Sequence, residues 1–315
     1  MEENKVMEQK IENEDELFHF VEYSPEAAEM IGYSDYSYWK SVFQNFLKKK
    51  SAVIMSCVFI GLVVFSFIAL AIGKYDYASL VTDSSKAFIN PYSEYWFGTD
   101  NIGRDYWGQV WDAAQTSIKL ALIVGIGECA VGITIGCLWG YVRKLDTFFT
   151  ELYNIINSVP QIIYMTLIAL MIGQSFTIMC VSLIAFHWLV MARNVRNLVM
   201  IYRDREFNLA SRTLGTPIYR ILIKNLLPQL VSVIILRLAL SIPGTINMET
   251  TLSYLGLGLD INTPSLGILL RNARSYFLDY PYLLVFPAVI VSLITITFYL
   301  IGNAFSDASD PRNHR

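Results

Sequence analysis

The chain has 315 residues, of which 54% are hydrophobic and only 16% are charged, and its mean hydropathy is +0.42. A soluble domain usually carries about 25% charged residues, so the composition excludes an ordinary soluble protein and indicates one embedded in a membrane. The formal net charge is −3, and we expect no nucleic acid among the partners of this protein.

An acidic segment, residues 1–35, is predicted to be an N-terminal extension in the cytoplasm. Residues 1–39 hold eleven Asp or Glu against two Lys, a local charge of −9, which leaves about +6 for the remainder. No signal peptide is expected, because the N-terminus is acidic and the first apolar run begins only near residue 52. The composition favours a disordered tail, with folding of residues 15–33 onto a partner as the alternative. Residues 36–51 are predicted to form a basic, amphipathic segment at the inner membrane face.

Six apolar stretches follow, each near the ~20 residues that a helix needs to cross the hydrocarbon core of a bilayer. They predict an all-α integral membrane domain over residues 52–315, with both termini on the same side. The predicted spans are residues 52–73, 117–142, 153–173, 175–195, 229–257 and 282–304. The third and fourth are separated by little more than Gly173-Gln174.

Lysine and arginine predict the orientation of these spans. Fifteen of them would lie on one side of the membrane and five on the other. Because basic residues accumulate on the cytoplasmic side, both termini and the loop at residues 196–228 are predicted to be cytoplasmic. Residues 74–116 then form a long external loop, and residues 262–280 are predicted to form a short helix over the external mouth.

The external loop contains the polar run GTDNIGRD at residues 98–105. A calcium site is excluded, because counting from its first acid places an apolar and a basic residue at two ligand positions. We expect instead that Thr99 or Asp100 caps the helix that follows, with Asp105 in the first helical turn.

Three glycines in the second span recur at four-residue steps, at Gly132, Gly136 and Gly140. Small residues at this spacing allow two helix backbones to approach closely. The stripe predicts packing against another helix of this chain or against a sister subunit, and it does not by itself imply transport.

The cytoplasmic loop is predicted to contain a first short helix in which Phe207, Ala210 and Leu214 share one face. Gly215 follows as a residue able to take a positive φ and end the helix. From the residues alone, two interpretations remain open. The helix either seals the membrane surface as an interfacial element or inserts into a groove on a cytoplasmic partner.

A second short helix is predicted after Gly215, with Thr216 as its cap and Pro217 at its first position. Its predicted apolar stripe is Ile218, Ile221, Leu222 and Leu226. Pro228 is expected to stop or kink this helix before the fifth span.

Ionisable residues inside spans usually face a bundle interior or a wet cavity, because lipid does not solvate them. Glu128 lies deep in the second span, and Arg237 and Glu249 flank Pro243-Gly244, where we expect the fifth span to break and expose backbone polar groups. All three are candidates for the lining of a translocation pathway, with structural pairing as the alternative. His187 has no partner at ligand spacing, and we interpret it as structural.

No motif for catalysis, metal or nucleotide binding occurs in the chain. There is no HExxH, no Gly-x-Ser-x-Gly elbow and no GxxxxGK[ST], so we expect no catalytic residue and no bound cofactor or metal. An intramembrane enzyme is therefore disfavoured. A stand-alone channel or carrier is disfavoured as well, because it would need an inverted repeat or a selectivity filter of its own, and no internal repeat stands out in the sequence.

The stretch EFNLASRTLGTPIYRILIKNLLPQ resembles the EAA loop of ABC-importer permeases. The matching residues are Ala210, Ser211, Gly215, Leu227 and Pro228. The sequence departs from the general pattern with Leu209 in place of Glu, Ser211 in place of Ala and Asn225 in place of Ile, and the acid lies one turn earlier, at Glu206. This displaced acid and the R-x-L-G run are similar to the peptide-importer branch.

Four further segments carry the same resemblance. EYWFGTDNIGRDYWGQVW at 94–111 is similar to the family's GTD-x-x-GRD segment before the second span, and ETTLSYLGLGLDINTPSLGILL at 249–270 is similar to its E-x-x-L-S-F-L-G-L-G…P-S-x-G segment. IGNAFSDASDPRNHR at 301–315 resembles its C-terminus, and YSYWKSVFQNFLKKKS at 36–51 resembles oligopeptide-permease C subunits of the OppC/DppC/AmiD type. The resemblance covers residues 36–315 and excludes the acidic extension.

The resemblance implies a type I ABC importer permease fold with six transmembrane helices, in a bacterial plasma membrane. It implies import of oligopeptides, with dipeptides, nickel complexes or another small ligand as the alternative. The implied partners are a second homologous permease, two cytoplasmic ATPases that use ATP and Mg²⁺, an extracellular peptide-binding lipoprotein and the lipid bilayer. The ATPase-coupling residues that it implies are Glu206, Phe207, Ala210, Ser211, Arg212, Leu214 and Gly215.

Overall fold

A computed structural model describes residues 38–72, 84–260 and 263–309. The acidic extension at residues 1–35 and the last six residues lie outside these ranges. Within them the regular secondary structure is helical. The helices are α1 (Tyr38–Lys48), α2 (Lys50–Ile72), α3 (Tyr106–Tyr141), α4 (Arg143–Asn157), α5 (Gln161–Met171), α6 (Phe176–Arg203), α7 (Glu206–Thr213), α8 (Ile218–Tyr254), α9 (Leu266–Ala273) and α10 (Tyr282–Ser309). The predicted all-α architecture is confirmed.

Five of these helices are long and apolar enough to cross a membrane, namely α2, α3, α6, α8 and α10. A sixth crossing exists if α4 and α5 are counted together, since the pair passes the same test but is bent by 77°. The third span expected at residues 153–173 is therefore not one straight helix. Pro160 lies in the break, where its missing N–H and its ring prevent the helix from continuing.

Helix α8 continues through both of its prolines. It runs unbroken through Pro243, so the break predicted at Pro243-Gly244 is wrong. Pro228 does not end it either, because residues Ile221–Leu226 widen into a π-helical turn in which the Leu227 N–H donates to the Leu222 oxygen. The wider turn accommodates the proline ring, which would clash with the carbonyl four residues earlier in a regular α-helix. Pro217, and not Thr216, is the N-cap residue of α8, and no side chain caps it.

Helices α3 and α6 pack closely along the glycine stripe. A Cβ added at Gly136 would lie 2.5 Å from the Ala192 carbonyl oxygen, and one at Gly140 would lie 2.8 Å from the Arg196 carbonyl oxygen. The stripe therefore packs within this chain, which settles the alternative left open by the sequence. This pair places the polar residues in the middle of α3 opposite those of α6.

On the predicted external side, the cap of α3 also differs from expectation. Asp105 is the N-cap, and its carboxylate accepts a hydrogen bond from the Trp107 N–H at 3.1 Å. Asp100 instead holds the preceding loop, accepting from the Arg104 N–H and the Arg104 Nε, each at 2.8 Å, and from Gln109 Nε2 at 2.9 Å. The short helix expected within 262–280 is confirmed as α9, capped by Ser265.

Candidate functional sites

Helix α7 is a short helix with a well-defined end. Its backbone closes in a Schellman motif, in which the Thr216 N–H donates to the Ser211 oxygen at 3.0 Å and the Gly215 N–H donates to the Arg212 oxygen at 2.9 Å. Gly215 has a φ of +75°, as its predicted role requires. The chain turns sharply at this residue and enters α8.

The polar face of α7 is bound to the rest of the chain. Asn208 is fully buried, and its Nδ2 donates to the Tyr202 oxygen at the end of α6, at 2.8 Å. Asn225, in the π-helical turn of α8, donates to Asn208 Oδ1 and to Ser211 Oγ, each at 3.1 Å. These bonds connect α7 to both helices that flank it.

Arg212 connects α7 to a third helix. Its Nε donates to the Tyr141 hydroxyl at the end of α3, at 3.0 Å, and its guanidinium carbon lies 4.8 Å from the centre of the Tyr141 ring. Its Nη1 lies 3.6 Å from Asp204 Oδ1. A hydrogen bond from Arg203 and the charge of both arginines lower the pKa of the Asp204 carboxyl, so this acid stays ionised at neutral pH.

The apolar face of α7 points away from the rest of the chain. Phe207 and Leu214 are 47% and 84% exposed, and Leu209 is 44% exposed. Glu206 and Ala210 are exposed as well. This arrangement is the reverse of a helix that packs on its own protein, because the polar side is inside and the apolar side is outside.

A cavity of about 360 Å³ lies between α3, α6 and α8 and is bordered by the start of α5. Its lining residues are Glu128, Gln161, His187, Val190, Met191, Asn194, Arg237, Leu240, Ser241, Gly244 and Met248. Of the three pathway candidates from the sequence, it brings together Glu128 and Arg237.

Glu128 and His187 form a pair in this cavity. His187 Nδ1 lies 3.4 Å from Glu128 Oε2, and His187 Nε2 lies 2.6 Å from Gln161 Nε2. This geometry fits the tautomer in which Nδ1–H points at the carboxylate and Nε2 accepts from the amide of Gln161. The sequence did not reveal this pairing, since the three residues lie on three different helices.

Glu249 lies elsewhere. It is fully buried, and its Oε1 accepts hydrogen bonds from Ser253 Oγ and Ser265 Oγ, each at 2.7 Å. Ser253 is one turn further along α8, and Ser265 begins α9. The carboxyl group thus joins α8 to α9, and it is absent from the lining of the cavity.

A second polar link was also missed by the sequence reasoning. Arg196 of α6 binds Asp146 of α4 through two hydrogen bonds of 2.8 Å, and the Trp139 Nε1–H donates to the same carboxylate at 2.9 Å. The link holds α4 against α3 and α6. Among residues 38–72, 84–260 and 263–309, no group of three or more His, Cys, Asp or Glu could hold a metal ion.

Comparison with known proteins places this architecture among transport proteins. The family model described as binding-protein-dependent transport system inner membrane component matches residues 132–315, and the N-terminal TM domain of oligopeptide transport permease C matches residues 37–92. The structure of the MetNI methionine ABC transporter in an inward-facing conformation has a TM-score of 0.53 and 18% identity, and it covers 62% of this chain and 94% of its own. That likeness concerns the fold.

Curated relatives are similar over most of the chain. AmiD, an oligopeptide transport system permease protein of Streptococcus pneumoniae, is 38% identical and aligns over 95% of this chain and 98% of its own length. DppC, a dipeptide transport system permease protein of Lactococcus lactis, is 36% identical over 73% of this chain and 68% of its own. OppC, an oligopeptide transport system permease protein of Bacillus subtilis, is 28% identical over 90% and 93%.

Proposed function

Because this chain belongs to the family of binding-protein-dependent transport system inner membrane components, we propose that it is the permease subunit of an ABC importer that takes up oligopeptides. It is a multi-pass protein of the bacterial plasma membrane. Two of the three relatives described above are named as oligopeptide permeases, and they align over nearly their whole length. The dipeptide permease at 36% identity makes dipeptides the second candidate substrate.

The exposed apolar face of α7 is the observation that carries the coupling role. Helix α7 is bound to its own chain by its polar side. Its apolar face is therefore suited to insertion into a groove of another protein. The permease contains no phosphate-binding motif. We therefore assign this face, centred on Phe207 and Leu214, to contact with a cytoplasmic ATPase, and the importer uses two such subunits with ATP and Mg²⁺.

The polar face of α7 explains how movement of the ATPase would reach the membrane. Arg212 holds α7 to α3, Asn208 holds it to α6, and Asn225 holds it to α8. The same three helices border the cavity that contains Glu128 and Arg237. A displacement of α7 is therefore transmitted to the walls of the proposed pathway.

The complete pathway requires further subunits. We propose that a second, homologous permease supplies the other half of the channel and that an extracellular peptide-binding lipoprotein delivers the substrate. The cavity supports this assignment, because it lies on one chain and opens at the surface of that chain. Catalysis of ATP hydrolysis belongs to the partner subunits.

Co-purification of the tagged full-length chain from its native membrane tests the function. We expect a homologous permease, two ATPase subunits and ATP-dependent peptide uptake after reconstitution into liposomes. Leu214→Asp is expected to release the ATPase subunits, because it places a charge in an apolar contact. Leu278→Asp is the control, since Leu278 is 92% exposed in the segment predicted to be external. Retention of the ATPases by Leu214→Asp would contradict the docking role.

A further inference from the structure

Arg237 stands apart from the other charged residues of the cavity. It lies near the middle of α8, exposed at the cavity wall. Within the described ranges it has no hydrogen-bond or ion-pair partner. Arginine in the middle of a span is costly unless an anion or water meets it. Its charge is therefore available to a ligand.

Glu128, the acid in the same cavity, is not free to bind a ligand as Arg237 is. Glu128 is 5% exposed, and His187 Nδ1 lies 3.4 Å from its Oε2. His187 is in turn held by Gln161 at 2.6 Å. A cationic group of a ligand would have to displace this arrangement, whereas an anionic group can reach Arg237 directly.

The rest of the wall suits side chains of varied shape. Met191 and Met248 line the cavity together with Val190 and Leu240. Methionine is flexible and polarizable, so it adapts to irregular apolar groups. Gly244, two turns from Arg237 on α8, adds room, because no atom lies within 4 Å of a Cβ placed there.

From this arrangement we propose that the cavity contains a carboxylate-binding subsite, in which the Arg237 guanidinium receives the C-terminal carboxylate of the transported peptide. Arginine binds carboxylates through two parallel N–H···O bonds, which adds geometric selectivity to the charge. The methionine-lined wall accepts the adjoining side chains without selecting one. This subsite does not recognise the amino terminus of the peptide. This inference rests on the proposed function.

The test is uptake by the intact, reconstituted importer at subsaturating peptide. Three forms of one tripeptide are compared: the free acid, the C-terminal amide and the N-acetylated free acid. In Arg237→Gln we expect uptake of both free acids to fall roughly 10-fold relative to the amide, as loss of a hydrogen bond to a charged group predicts. Arg237→Lys keeps the charge but not the paired geometry. We expect its uptake of the free acids relative to the amide to lie between that of the wild type and that of Arg237→Gln. The same binding protein is used throughout, so its own preference cancels in the comparison.

Lys119→Gln is the matched control, because Lys119 is an exposed cation in a span outside the cavity. It should leave the ratio of free acid to amide unchanged. An equal loss of uptake of the free acids and of the amide in Arg237→Gln would overturn the proposal. Failure of Arg237→Gln to assemble, with an unchanged ratio in Arg237→Lys, would assign the guanidinium to a structural ion pair and overturn it as well. Absence of peptide uptake by the wild-type importer would instead contradict the proposed function.

Discussion

Replacement of Gly215 by valine isolates the conformational role of the turn after α7. Gly215 has a φ of +75°, a region that costs an L-residue roughly 1–2 kcal/mol, and more if the residue is β-branched. No atom lies within 4 Å of a Cβ built at this position. The added Cβ therefore contacts no other part of the chain, and the expected effect comes from the backbone conformation.

The structure sets the size of the effect. The substituted residue either keeps the positive φ at the cost above or abandons it. In the second case it loses the bonds of the Gly215 N–H to Arg212 and of the Thr216 N–H to Ser211, each contributing about 1 kcal/mol net. Either route costs about 2 kcal/mol, which corresponds to a shift of up to ~30-fold away from the native turn.

The assay is peptide uptake per ATP hydrolysed in the reconstituted importer. We expect Gly215→Val to lower this ratio about tenfold or more while the ATPases remain bound, because α7 keeps its exposed face but loses its fixed angle to α8. The ratio of uptake to ATP hydrolysed should fall least in Gly215→Asn, further in Gly215→Ala and furthest in Gly215→Val. Asparagine tolerates the left-handed region better than alanine.

Gly61→Val is the control. Gly61 lies inside α2, has no atom within 4 Å of an added Cβ and has no positive φ, so uptake per ATP should match that of the wild type. Wild-type coupling in Gly215→Val would refute the reasoning. An equal defect in all three Gly215 variants would also refute it, because the effect would then not follow φ.

Three further predictions concern stability and the buried acid. Gly136→Ala should lower the thermal unfolding midpoint by an amount equivalent to about 1–3 kcal/mol, because the new methyl group meets a backbone oxygen of α6 at 2.5 Å; Gly61→Ala should not. A double-mutant cycle on Arg196→Ala and Asp146→Ala should give a coupling energy of about 1–3 kcal/mol in thermal unfolding, and a value near zero would show that the paired hydrogen bonds do not hold α4. Glu249→Gln should transport at the wild-type rate, because its carboxamide oxygen still accepts hydrogen bonds from Ser253 and Ser265. Glu249→Leu should reduce the yield of folded complex. Loss of uptake in a well-folded Glu249→Gln would return this residue to the pathway.

Several features of this protein followed from local sequence. Membrane insertion depends on the summed hydropathy of about 20 neighbouring residues, so the long apolar helices were predicted without tertiary information. The end of α7 at Gly215 was predicted for a similar reason, since a positive φ depends mainly on the residue that adopts it. The repeat of Gly132, Gly136 and Gly140 likewise indicated a close helix contact.

Only the tertiary structure decided which polar groups meet. Glu128 with His187, Arg196 with Asp146, and Glu249 with Ser265 join residues from different helices. Each residue turns the helix by about 100°, so a side chain's neighbours depend on the rotation of the helix about its axis. Packing of the whole bundle sets that rotation. It also decided that α8 passes through Pro243 without a break and that the apolar face of α7 points outward.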